Sequence, residues 1–477
     1  MSAAPVPVRP FYAGQWHDGA EEQPAVDKFT GATTTSVGCS DRAQVTAAVS
    51  AVVAGQQATD WDPVARYRAL ARASALLDEQ RDDVARTIVA DSGFTLSDAR
   101  REVDRAVQTL LISGEEAKRL SGEMVPLDGA PGQRGRIGFT MHHPLGVVCA
   151  ITPFNSPLNT VVHKVAPALA AGNGVIVKPA SQTPRTADRL LRLLLDAGVP
   201  ESLLAFVYGS GGTVGQQLLE DPRPAFYAFT GSTEVGAQLH RTVGLRRTQL
   251  EMGSLSSTII CADSNVEAAT ERLVPAAFRK AGQVCTSVQR LYVERAVADE
   301  VVSRITDELR GRTVGDPADP DCFVGPVISL ADAERIESWV NAAVAAGARC
   351  AAGGTRSRSV VEPTVLTDVT AEADVMVREI FGPVVVLRVF DDLDAALAEV
   401  NDTPYGLAAG IFTRDINRAL RAASRLRMGS VHINETSSSR VDLMPYTGAK
   451  LSGMGREGPR YAIREMSEER LITIGPL

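Results

Sequence analysis

The spacing of apolar positions divides the chain into stretches of different character. Up to about residue 121 the apolar residues recur at helical spacing. Asp41 can cap a helix through AQVTAAVSAVVAG, and amphipathic helices are predicted at about 64–92 and 96–121. Residues 122–145 are instead rich in glycine and proline and then alternate like a strand. This segment is predicted to be an extended hairpin or arm that leaves the body of the domain.

From Val147 onwards, short β-rich runs alternate with helical segments. VVCAIT is followed by the helical TVVHKVAPALAAG, and GVIVKP by the helical TADRLLRLLLDAG. The alternation continues through AFYAFTG and EVGAQLHRTV, resumes after residue 254, and ends in the β-rich ERLITI. Such a series predicts parallel sheets with helices on their faces, so the expected fold class is α/β.

The composition narrows the class of protein without deciding its function. A length of 477 residues predicts two or three domains with sizeable cores. The formal net charge of −8 gives no reason to expect nucleic acid or an anionic membrane surface as a partner. The sequence has neither the apolar run that a membrane helix needs nor the apolar core of a signal peptide.

The cysteines argue against both a disulfide framework and a metal site. They are far apart, with no CxxC motif and no paired Cys/His cluster. A reducing, cytoplasmic setting is therefore expected, and no metal ligands are predicted. The six residues are Cys39, Cys149, Cys261, Cys285, Cys322 and Cys350.

Four local motifs carry residues suited to chemistry. Gly231 and Ser232 lie between a strand and a helix, where free backbone N–H groups can bind a pyrophosphate, although the motif is not GxGxxG. Lys178 ends a β-rich run, at the edge where α/β sheets bind ligands. Glu251 follows another such run, and Cys285 lies in a polar, Gly-flanked loop. Taken singly, an inert cysteine or a solvated charge is the commoner explanation for each.

Taken together, nine motifs in order closely resemble those of the aldehyde dehydrogenase superfamily. The resemblance runs from about residue 10 to the C-terminus and is highly specific, because nine motifs at one family's spacing do not coincide by chance. The motifs are ITPFNSPL, KVAPALAAGN, KPASQTP, FTGSTEVG, EMGS, GQVCTSVQR, EIFGPV, NDTPYGLAAGIFTRD and GAKLSGMGREG.

The resemblance implies a domain organisation. A Rossmann-like cofactor domain is expected over residues 1–121 and 146–253, and an α/β catalytic domain over 254–459. Residues 122–145 and 460–477 would form a small β oligomerisation arm. Because members of the family are usually dimers or tetramers in which an arm strand extends a partner's sheet, a homodimer or homotetramer is expected.

The resemblance also implies site residues and a reaction. Cys285 aligns with the nucleophile, Asn155 with the oxyanion residue and Glu251 with the general base. The implied reaction oxidises an aldehyde through a thiohemiacetal and a thioester on Cys285, with NAD or NADP as hydride acceptor, followed by hydrolysis. The implied cofactor-binding residues are Thr152, Pro153, Phe154, Lys178, Ser181, Gly211, Gly215, Gly231, Ser232, Glu379 and Phe381.

Several positions depart from the family pattern. Ser181 stands where many NAD-preferring members carry a glutamate that would repel a 2′-phosphate, so NADP is permitted. EMGSLSS replaces the usual ELGGK, and PYTGAK replaces the commoner PFGGxK, with no consequence predicted for either. Leu111 stands where many relatives of one branch carry an arginine.

The substrate prediction depends on three tunnel positions. Arg440 in SSSRVDLMPY would bind a carboxylate, phosphate or phosphonate if it points into the tunnel, and the alternative is a pair with Asp442 or another acid. His163 and Thr286 are further substrate candidates, and a hydrogen-bonded structural role is the alternative for His163. The surrounding pattern also resembles the branch that acts on lactaldehyde-like, semialdehyde and phosphonoaldehyde substrates. A small anionic or polar aldehyde is therefore predicted.

Two other functions stay open at this point. The first is a family member that passes the acyl group to CoA or works as a reductase, but such members typically lack the base, and Glu251 favours hydrolysis. The second is a binding protein that keeps the fold without turnover. It would be expected to lack Cys285, Asn155 or Glu251, and all three are present.

Overall fold

In the computed structural model, which describes residues 4–475, two large sheets form the body of the chain. The first has eight strands, and its five central strands run parallel to one another. In order across the sheet the strands are Gly453–Met454, Arg247–Glu251, Phe226–Thr230, Val147–Ile151, Gly174–Lys178, Leu204–Phe206, Phe11–Tyr12 and Gln15–Trp16.

The second large sheet has seven strands, and all of them run parallel except the antiparallel edge strand Arg349–Ala352. Its order is Arg349–Ala352, Thr364–Thr367, Val384–Phe390, Arg290–Glu294, Ser257–Ile260, Ala408–Phe412 and Ser430–Ile433.

Both large sheets have a hydrophobic core on each face. Within the strand Val147–Ile151, Val148 and Ala150 belong to one core, and Val147 and Cys149 to the core on the opposite face. The second sheet likewise separates two cores. Because successive side chains of a strand point to opposite faces, this burial requires helices on both sides. The predicted α/β fold class is confirmed.

A third sheet combines the predicted arm with the C-terminal strand. Ile137–Pro144 pairs antiparallel with Ser467–Ile474 over eight residues and, on its other side, with Met124–Val125. The extended conformation predicted for 122–145 and the final strand predicted from ERLITI are both observed.

Short strands complete the sheet structure of the described chain. Near the N-terminus, Thr33–Cys39 pairs with Val6–Val8 and Glu21–Val26. The remaining pairs are Thr313–Val314 with Cys322–Val324, Arg356–Ser357 with Val360–Val361, and Tyr405–Gly406 with Ala449–Lys450.

The helices cover the sheets, and within residues 4–475 none has the length and apolar character that a membrane crossing needs. All six cysteines are unpaired. The α-helices are Arg42–Ala58, Pro63–Glu79, Arg81–Ser92, Leu96–Ala117, Asn159–Ala170, Pro184–Asp196, Gln216–Glu220, Thr233–Val243, Val266–Phe278, Ala298–Leu309, Leu330–Ala345, Asp374–Val377, Leu393–Asn401, Ile416–Arg425 and Pro459–Glu465.

The first 121 residues contain more breaks than the hydrophobic pattern predicts. Asp41 caps the first helix as predicted, with Gln44 completing a reciprocal capping box. The stretch predicted at 64–92 is two helices, because the chain leaves helical geometry at Gln80 (φ −106°, ψ 17°). The N-terminal strands were not predicted, since strands of two to seven residues leave too short a pattern to separate from loops.

Asp91 ties two helices on one face of the first sheet. Its buried carboxylate accepts hydrogen bonds from Thr186 through the backbone N–H and the hydroxyl, both at 2.9 Å. Burial raises the pKa of Asp91 from 3.8 to about 6. Folded Asp91 therefore holds its proton more tightly than unfolded Asp91. Its contribution to stability is complete below about pH 4 and is lost as the pH rises past about 6.

The wild type should lose stability as the pH rises from 4 to 8, because Asp91 ionises, whereas the asparagine of Asp91→Asn stays neutral. We therefore expect the variant to gain stability relative to the wild type over this range. The relative gain in unfolding free energy should be about 3 kcal/mol, because each pKa unit corresponds to about 1.4 kcal/mol. Urea unfolding at both pH values measures it, with Asp83→Asn on the exposed side of the same helix as the control. A difference between Asp91→Asn and wild type that does not change with pH contradicts the prediction.

Candidate active site

Cys285 lies where two cavities meet. It follows the helix Val266–Phe278 and precedes the strand Arg290–Glu294, and it lines both cavities. The first, which we call the polar cavity, is lined by Arg105, Asn155, Ser156, Asn159, Thr160, His163, Thr230, Glu251, Arg279, Lys280, Val284, Cys285, Thr286, Arg440, Tyr446 and Glu457. The second, which we call the narrow cavity, is lined by Ser254, Gly282, Val284, Cys285, Ser287, Gln289, Glu379, Ile380, Phe381, Gly382 and Val384.

The approach to Cys285 is a strained turn. Lys280 and Ala281 have positive φ values of 52° and 53°, and Gly282 follows at 68°. A β-carbon on Gly282 would lie 2.0 Å from the carbonyl oxygen of Gly382, so only glycine fits there. Non-glycine residues in this conformation cost about 1–3 kcal/mol each and persist only where their surroundings impose the geometry.

Buried hydrogen bonds from the helix Leu96–Ala117 impose that geometry. The backbone N–H of Lys280 donates to Asp98 at 2.7 Å, and its ammonium donates to Glu102 at 2.5 Å. The same ammonium donates to the carbonyl oxygen of Asn155 at 2.9 Å. Lys280 therefore joins the loop of the cysteine to the loop of the asparagine.

Glu102 also fixes the loop that carries Asn155. Its carboxylate accepts the backbone N–H groups of Leu158 at 2.8 Å and Asn159 at 3.1 Å, at the start of the helix Asn159–Ala170. One buried carboxylate thus holds both segments, and Asn155 and Cys285 line the same cavity. The arrangement suits an amide donor facing an oxygen atom bonded to a carbon on the sulfur.

Glu251 is the last residue of the strand Arg247–Glu251 and is buried, with 3% of its surface exposed. Neither of its carboxylate oxygens has a hydrogen-bond partner among residues 4–475. Burial, and then the negative charge of Glu457, raises the pKa of Glu251 well above its usual range. A buried carboxyl without partners is rare in folded proteins and is typical of a group that handles protons.

The thiol of Cys285 contacts a phenol. The distance from its Sγ to the Oη of Tyr446 is 3.0 Å. Burial raises the pKa of Cys285, and the hydrogen bond with Tyr446 and the charge of Arg440 act in the opposite direction. The next residue, Thr286, is buried with its hydroxyl 3.3 Å from that of Ser438.

Polar groups suited to a cofactor lie at the carboxyl ends of the first sheet's strands. Lys178 is 4% exposed, and burial lowers the pKa of its ammonium to about 8. This ammonium has three donors and makes one hydrogen bond, at 3.2 Å to the carbonyl of Pro179. The hydroxyl of Thr152 is buried without a partner in the described structure, and Pro153 follows it. Both side chains therefore have hydrogen-bonding capacity left for a ligand.

Two glycine-containing turns lie at the same carboxyl edge of the sheet as Lys178. Gly211–Gly215 leads into the helix Gln216–Glu220, and Gly215 is packed against the stem of Lys178. Gly231 precedes Ser232, whose hydroxyl caps the helix Thr233–Val243. Ser181 donates to the carbonyl of Gly209 at 2.9 Å. These predicted residues therefore share one edge of the sheet.

Glu379 and Phe381 line the narrow cavity. Glu379 accepts the backbone N–H of Ser254 at 2.9 Å through one oxygen, and burial raises its pKa to about 7. A β-carbon on Gly253 would lie 2.9 Å from the other oxygen. Phe381 has a φ of 48°, and its ring packs edge-on against Phe154 with centroids 5.8 Å apart.

Arg440 and His163 line the polar cavity, but both are bound to acids. Arg440 donates to Glu457 at 2.7 Å, which matches the alternative of a pair with an acid, although that acid is not Asp442. Asp442 instead accepts from His163 at 2.8 Å and from Arg105 at 2.7 and 3.2 Å. His163, in the helix Asn159–Ala170, is thus hydrogen-bonded to Asp442, which matches the alternative of a structural role.

Sequence reasoning missed two arginines of the polar cavity. Arg105 comes from the helix that carries Leu111, nearly two turns earlier, and only the fold shows which turn faces the cavity. Arg279 lies six residues before Cys285 in FRKAGQVC, and that short separation was the available signal. Arg279 donates to the hydroxyl of Ser438 at 2.7 Å and, within the described chain, forms no ion pair. Burial and then the charge of Arg105 lower the pKa of Arg279.

Comparisons with known proteins identify the family and the fold. A family model described as "Aldehyde dehydrogenase family" matches residues 16–472. A 3-sulfolactaldehyde dehydrogenase of Priestia aryabhattai is 41% identical over 464 residues, which are 97% of each chain. The structure of aldehyde dehydrogenase 21 from Physcomitrella patens, in complex with the reaction product succinate, is 34% identical with a TM-score of 0.95 and covers 99% of each chain.

A further solved structure carries a cofactor. The glyceraldehyde-3-phosphate dehydrogenase GapN from Methanocaldococcus jannaschii, complexed with NADP, is 31% identical with a TM-score of 0.92. The match covers 96% of this chain and 100% of that chain.

We expect Glu102→Gln to destabilise the protein by about 3–5 kcal/mol, because the buried ammonium of Lys280 would lose its counter-charge. Denaturant unfolding measures the loss. Glu115→Gln changes a more exposed glutamate on the same helix and should alter stability by less than about 1 kcal/mol. Similar losses for the two variants would show that the buried pair does not hold the site.

Proposed function

We propose, from the premise that the chain belongs to the aldehyde dehydrogenase family, that it oxidises a small anionic aldehyde to its carboxylic acid with NAD or NADP. One observation carries the proposal: Cys285 lines a cavity rich in arginine on one side and a cavity with Glu379 and Phe381 on the other. A carbon bonded to this sulfur can therefore face an anion site and a hydride acceptor at once.

The first step is attack by the Cys285 thiolate on the aldehyde carbon. The carbonyl oxygen becomes an oxyanion as the carbon–sulfur bond forms, and the side-chain N–H of Asn155 and the backbone N–H of Cys285 are the donors proposed for it. A single donor of this kind typically lowers the barrier by about 3–4 kcal/mol. The rigid link through Lys280 supports this role, because a donor is effective only if its position is fixed before the charge develops.

The cofactor fits the unused polar groups at the sheet edge. When bound, NAD or NADP accepts the hydride from the carbon on Cys285, which leaves a thioester. Lys178, Thr152 and the second oxygen of Glu379 are proposed to bind ribose hydroxyls and phosphates, with Phe154 and Phe381 against the ring. Ser181 has no negative charge to repel a 2′-phosphate, so both cofactors are accommodated.

The remaining cofactor contacts are proposed for the two glycine-containing turns and for the segment after the strand Val147–Ile151. Backbone N–H groups at a helix start bind phosphate well, which suits Gly231 and Ser232 before an eleven-residue helix. The others are Gly211, Gly215 and Pro153.

Glu251 is proposed to complete the reaction. The thioester on Cys285 is released when water attacks its carbonyl carbon, and Glu251 takes the proton from that water. This requires the ionised carboxylate. Because burial and Glu457 raise the pKa of Glu251 well above its usual range, the proposed step becomes faster as the pH rises.

The charges of the polar cavity support an anionic substrate. Arg440 is paired with Glu457, Lys280 with Glu102, and Arg105 with Asp442. Arg279 has no carboxylate partner among the described residues, and its remaining donors can bind an anion in the fork geometry of a guanidinium. We therefore propose Arg279 as the principal anion contact, with Arg105 and Arg440 in support and His163 and Thr286 in the wall.

The printed names of four of the similar proteins agree with this charge, whereas relatives from three Methanococcus species are named for lactaldehyde, which is neutral. Sulfolactaldehyde carries a sulfonate, succinate semialdehyde and its product succinate carry carboxylates, and glyceraldehyde 3-phosphate carries a phosphate. Each of these molecules is small, and each appears in the printed name of a protein that is at least 31% identical to this chain. The chemistry they share is an anionic group a few bonds from an aldehyde, and that is the substrate class we propose.

The domain division and an oligomer are also proposals. Seven of the eight strands of the first large sheet lie in the proposed cofactor domain of 1–121 and 146–253, and the eighth, Gly453–Met454, comes from the range proposed for the catalytic domain. The second large sheet lies within that catalytic range, 254–459, and the third sheet within the proposed arm of 122–145 and 460–477. Ser467–Ile474 is an edge strand whose Leu471 and Ile474 are about half exposed, which suits pairing with a partner in a homodimer or homotetramer. The unpaired cysteines suit a cytoplasmic location.

We expect the wild type to convert succinic semialdehyde to succinate without CoA, with kcat still rising with pH above the usual ionisation range of a glutamate, because the pKa of Glu251 is raised. Glu251→Gln should produce reduced cofactor in a single turnover and then stall. Its kcat should fall about 10²- to 10⁴-fold, because the water loses its base. Stopped-flow absorbance and product analysis measure both phases.

The exposed Glu79→Gln serves as the matched control and should behave as the wild type. A steady-state rate for Glu251→Gln near that of the wild type, or a strict need for CoA, would overturn the hydrolytic proposal.

We expect Arg279→Gln to lower kcat/KM for succinic semialdehyde about 10- to 100-fold, which is the value of a charge-assisted hydrogen bond. The same variant should use neutral butanal within about twofold of the wild type, since butanal makes no ionic contact. Arg272→Gln, on the exposed side of the helix that ends just before Arg279, is the control. Equal losses on the charged and the neutral aldehyde would contradict an anion contact.

A further inference from the structure

The phenol of Tyr446 lies against the sulfur of Cys285. The Oη to Sγ distance is 3.0 Å, and Tyr446 is 3% exposed. Tyr446 belongs to PYTGAK, which replaces the commoner PFGGxK of the family. A phenylalanine would occupy the same space but leave the sulfur without this hydrogen bond. The change from phenylalanine to tyrosine therefore has a specific chemical consequence at the nucleophile.

Backbone hydrogen bonds fix the position of Tyr446. Its N–H donates to the carbonyl oxygen of Glu457 at 3.1 Å, and the N–H of Glu457 donates to the carbonyl oxygen of Tyr446 at 2.8 Å. The two residues form an isolated antiparallel bridge. These main-chain bonds fix the backbone from which the phenol projects, and burial restricts the rotation of the ring.

A cation covers the ring of Tyr446. The guanidinium carbon of Arg440 is 3.7 Å from the ring centroid. Arg440 is itself held by Glu457 at 2.7 Å, and Glu457 by the fully buried Lys164 at 2.8 Å. A positive charge on the face of a phenol draws electron density from the ring and makes its O–H a stronger donor. This gives Arg440 a function that does not need contact with the substrate.

We propose that Tyr446 is a catalytic residue of this chain, whose phenol donates a hydrogen bond to the sulfur of Cys285 and stabilises it as the attacking thiolate. The inference rests on the proposed role of Cys285 as the nucleophile. The donor is the phenol, because a thiolate has lone pairs and no proton. Burial, and then the neighbouring Cys285, raises the pKa of Tyr446 well above 10, so the phenol keeps its proton and can donate it to the thiolate.

Alkylation of Cys285 by iodoacetamide, followed against pH by mass spectrometry of its peptide, tests the proposal on the full chain. Only the thiolate reacts, so the midpoint of the profile reports its ionisation. In Tyr446→Phe we expect the midpoint to move upward by about one to two pH units, which is the loss of one hydrogen bond to a charged group. At pH 7 alkylation should slow about 10- to 100-fold and recover at high pH.

Turnover should change in the same way. In Tyr446→Phe, kcat/KM near pH 7 should fall about 10-fold or more for succinic semialdehyde and for butanal alike, because the change acts on the nucleophile. Tyr292→Phe is the matched control, since its phenol bonds to Glu399 at 3.4 Å, and both its profiles should equal those of the wild type. Replacing Tyr446 with 3,5-difluorotyrosine, a stronger donor, should move the alkylation midpoint downward.

Opposite shifts for the two Tyr446 variants support the proposal, and an unchanged midpoint in both overturns it. If Tyr446→Phe melts at a lower temperature than the wild type, its alkylation midpoint reports a loss of stability as well as the lost hydrogen bond. The midpoint of the fluorinated variant then decides the test, because that variant keeps the contact with the sulfur. Cys285→Ser separates the two hypotheses. If it retains aldehyde oxidation, the proposed function fails. If it loses oxidation while both midpoints stay unchanged, only the role of Tyr446 fails.

Discussion

The pairing of buried charges around Glu457 is the constraint on which the site depends. Glu457 is 2% exposed and binds the ammonium of Lys164, from the helix Asn159–Ala170, and the guanidinium of Arg440, from the loop after the second sheet. Removing one partner of a buried pair typically costs about 3–5 kcal/mol, so the two segments cannot separate without a large penalty. Arg440 and Glu457 of this junction also line the polar cavity.

Local sequence signals account for most of the elements. Asp41 with Gln44 predicts the start of a helix because capping involves neighbours in the chain, and the alternation after Val147 predicts buried parallel strands because both faces of a sheet are covered. The break at Gln80 was not predictable, since the polar and apolar spacing continues through it while the backbone does not. Hydrophobic periodicity indicates which face of a helix is buried, but it does not indicate where one helix ends and the next begins in a new direction.

The same distinction between local signals and tertiary contacts applies to the site. Resemblance supplies the identities of Cys285, Asn155 and Glu251, because a motif preserves the order of the residues. It does not supply partners that come from distant segments. The acid that binds Arg440 was expected to be Asp442 or another acid, and it is Glu457, seventeen residues away. Which of several nearby carboxylates meets an arginine depends on tertiary packing.

Charge balance also connects the nucleophile, the base and the substrate. Burial raises the pKa of both Cys285 and Glu251, so each favours its neutral, protonated form in the empty cavity. The other ionic groups that line the cavity are paired, apart from Arg279 among the described residues. Because Glu457 is shared by Arg440 and Lys164, and Arg279 has no carboxylate partner among the described residues, the cavity has an excess of positive charge, which an anionic aldehyde reduces on entry. A neutral aldehyde would leave Arg279 buried without a counter-charge, and for this reason the arrangement discriminates by charge more than by shape.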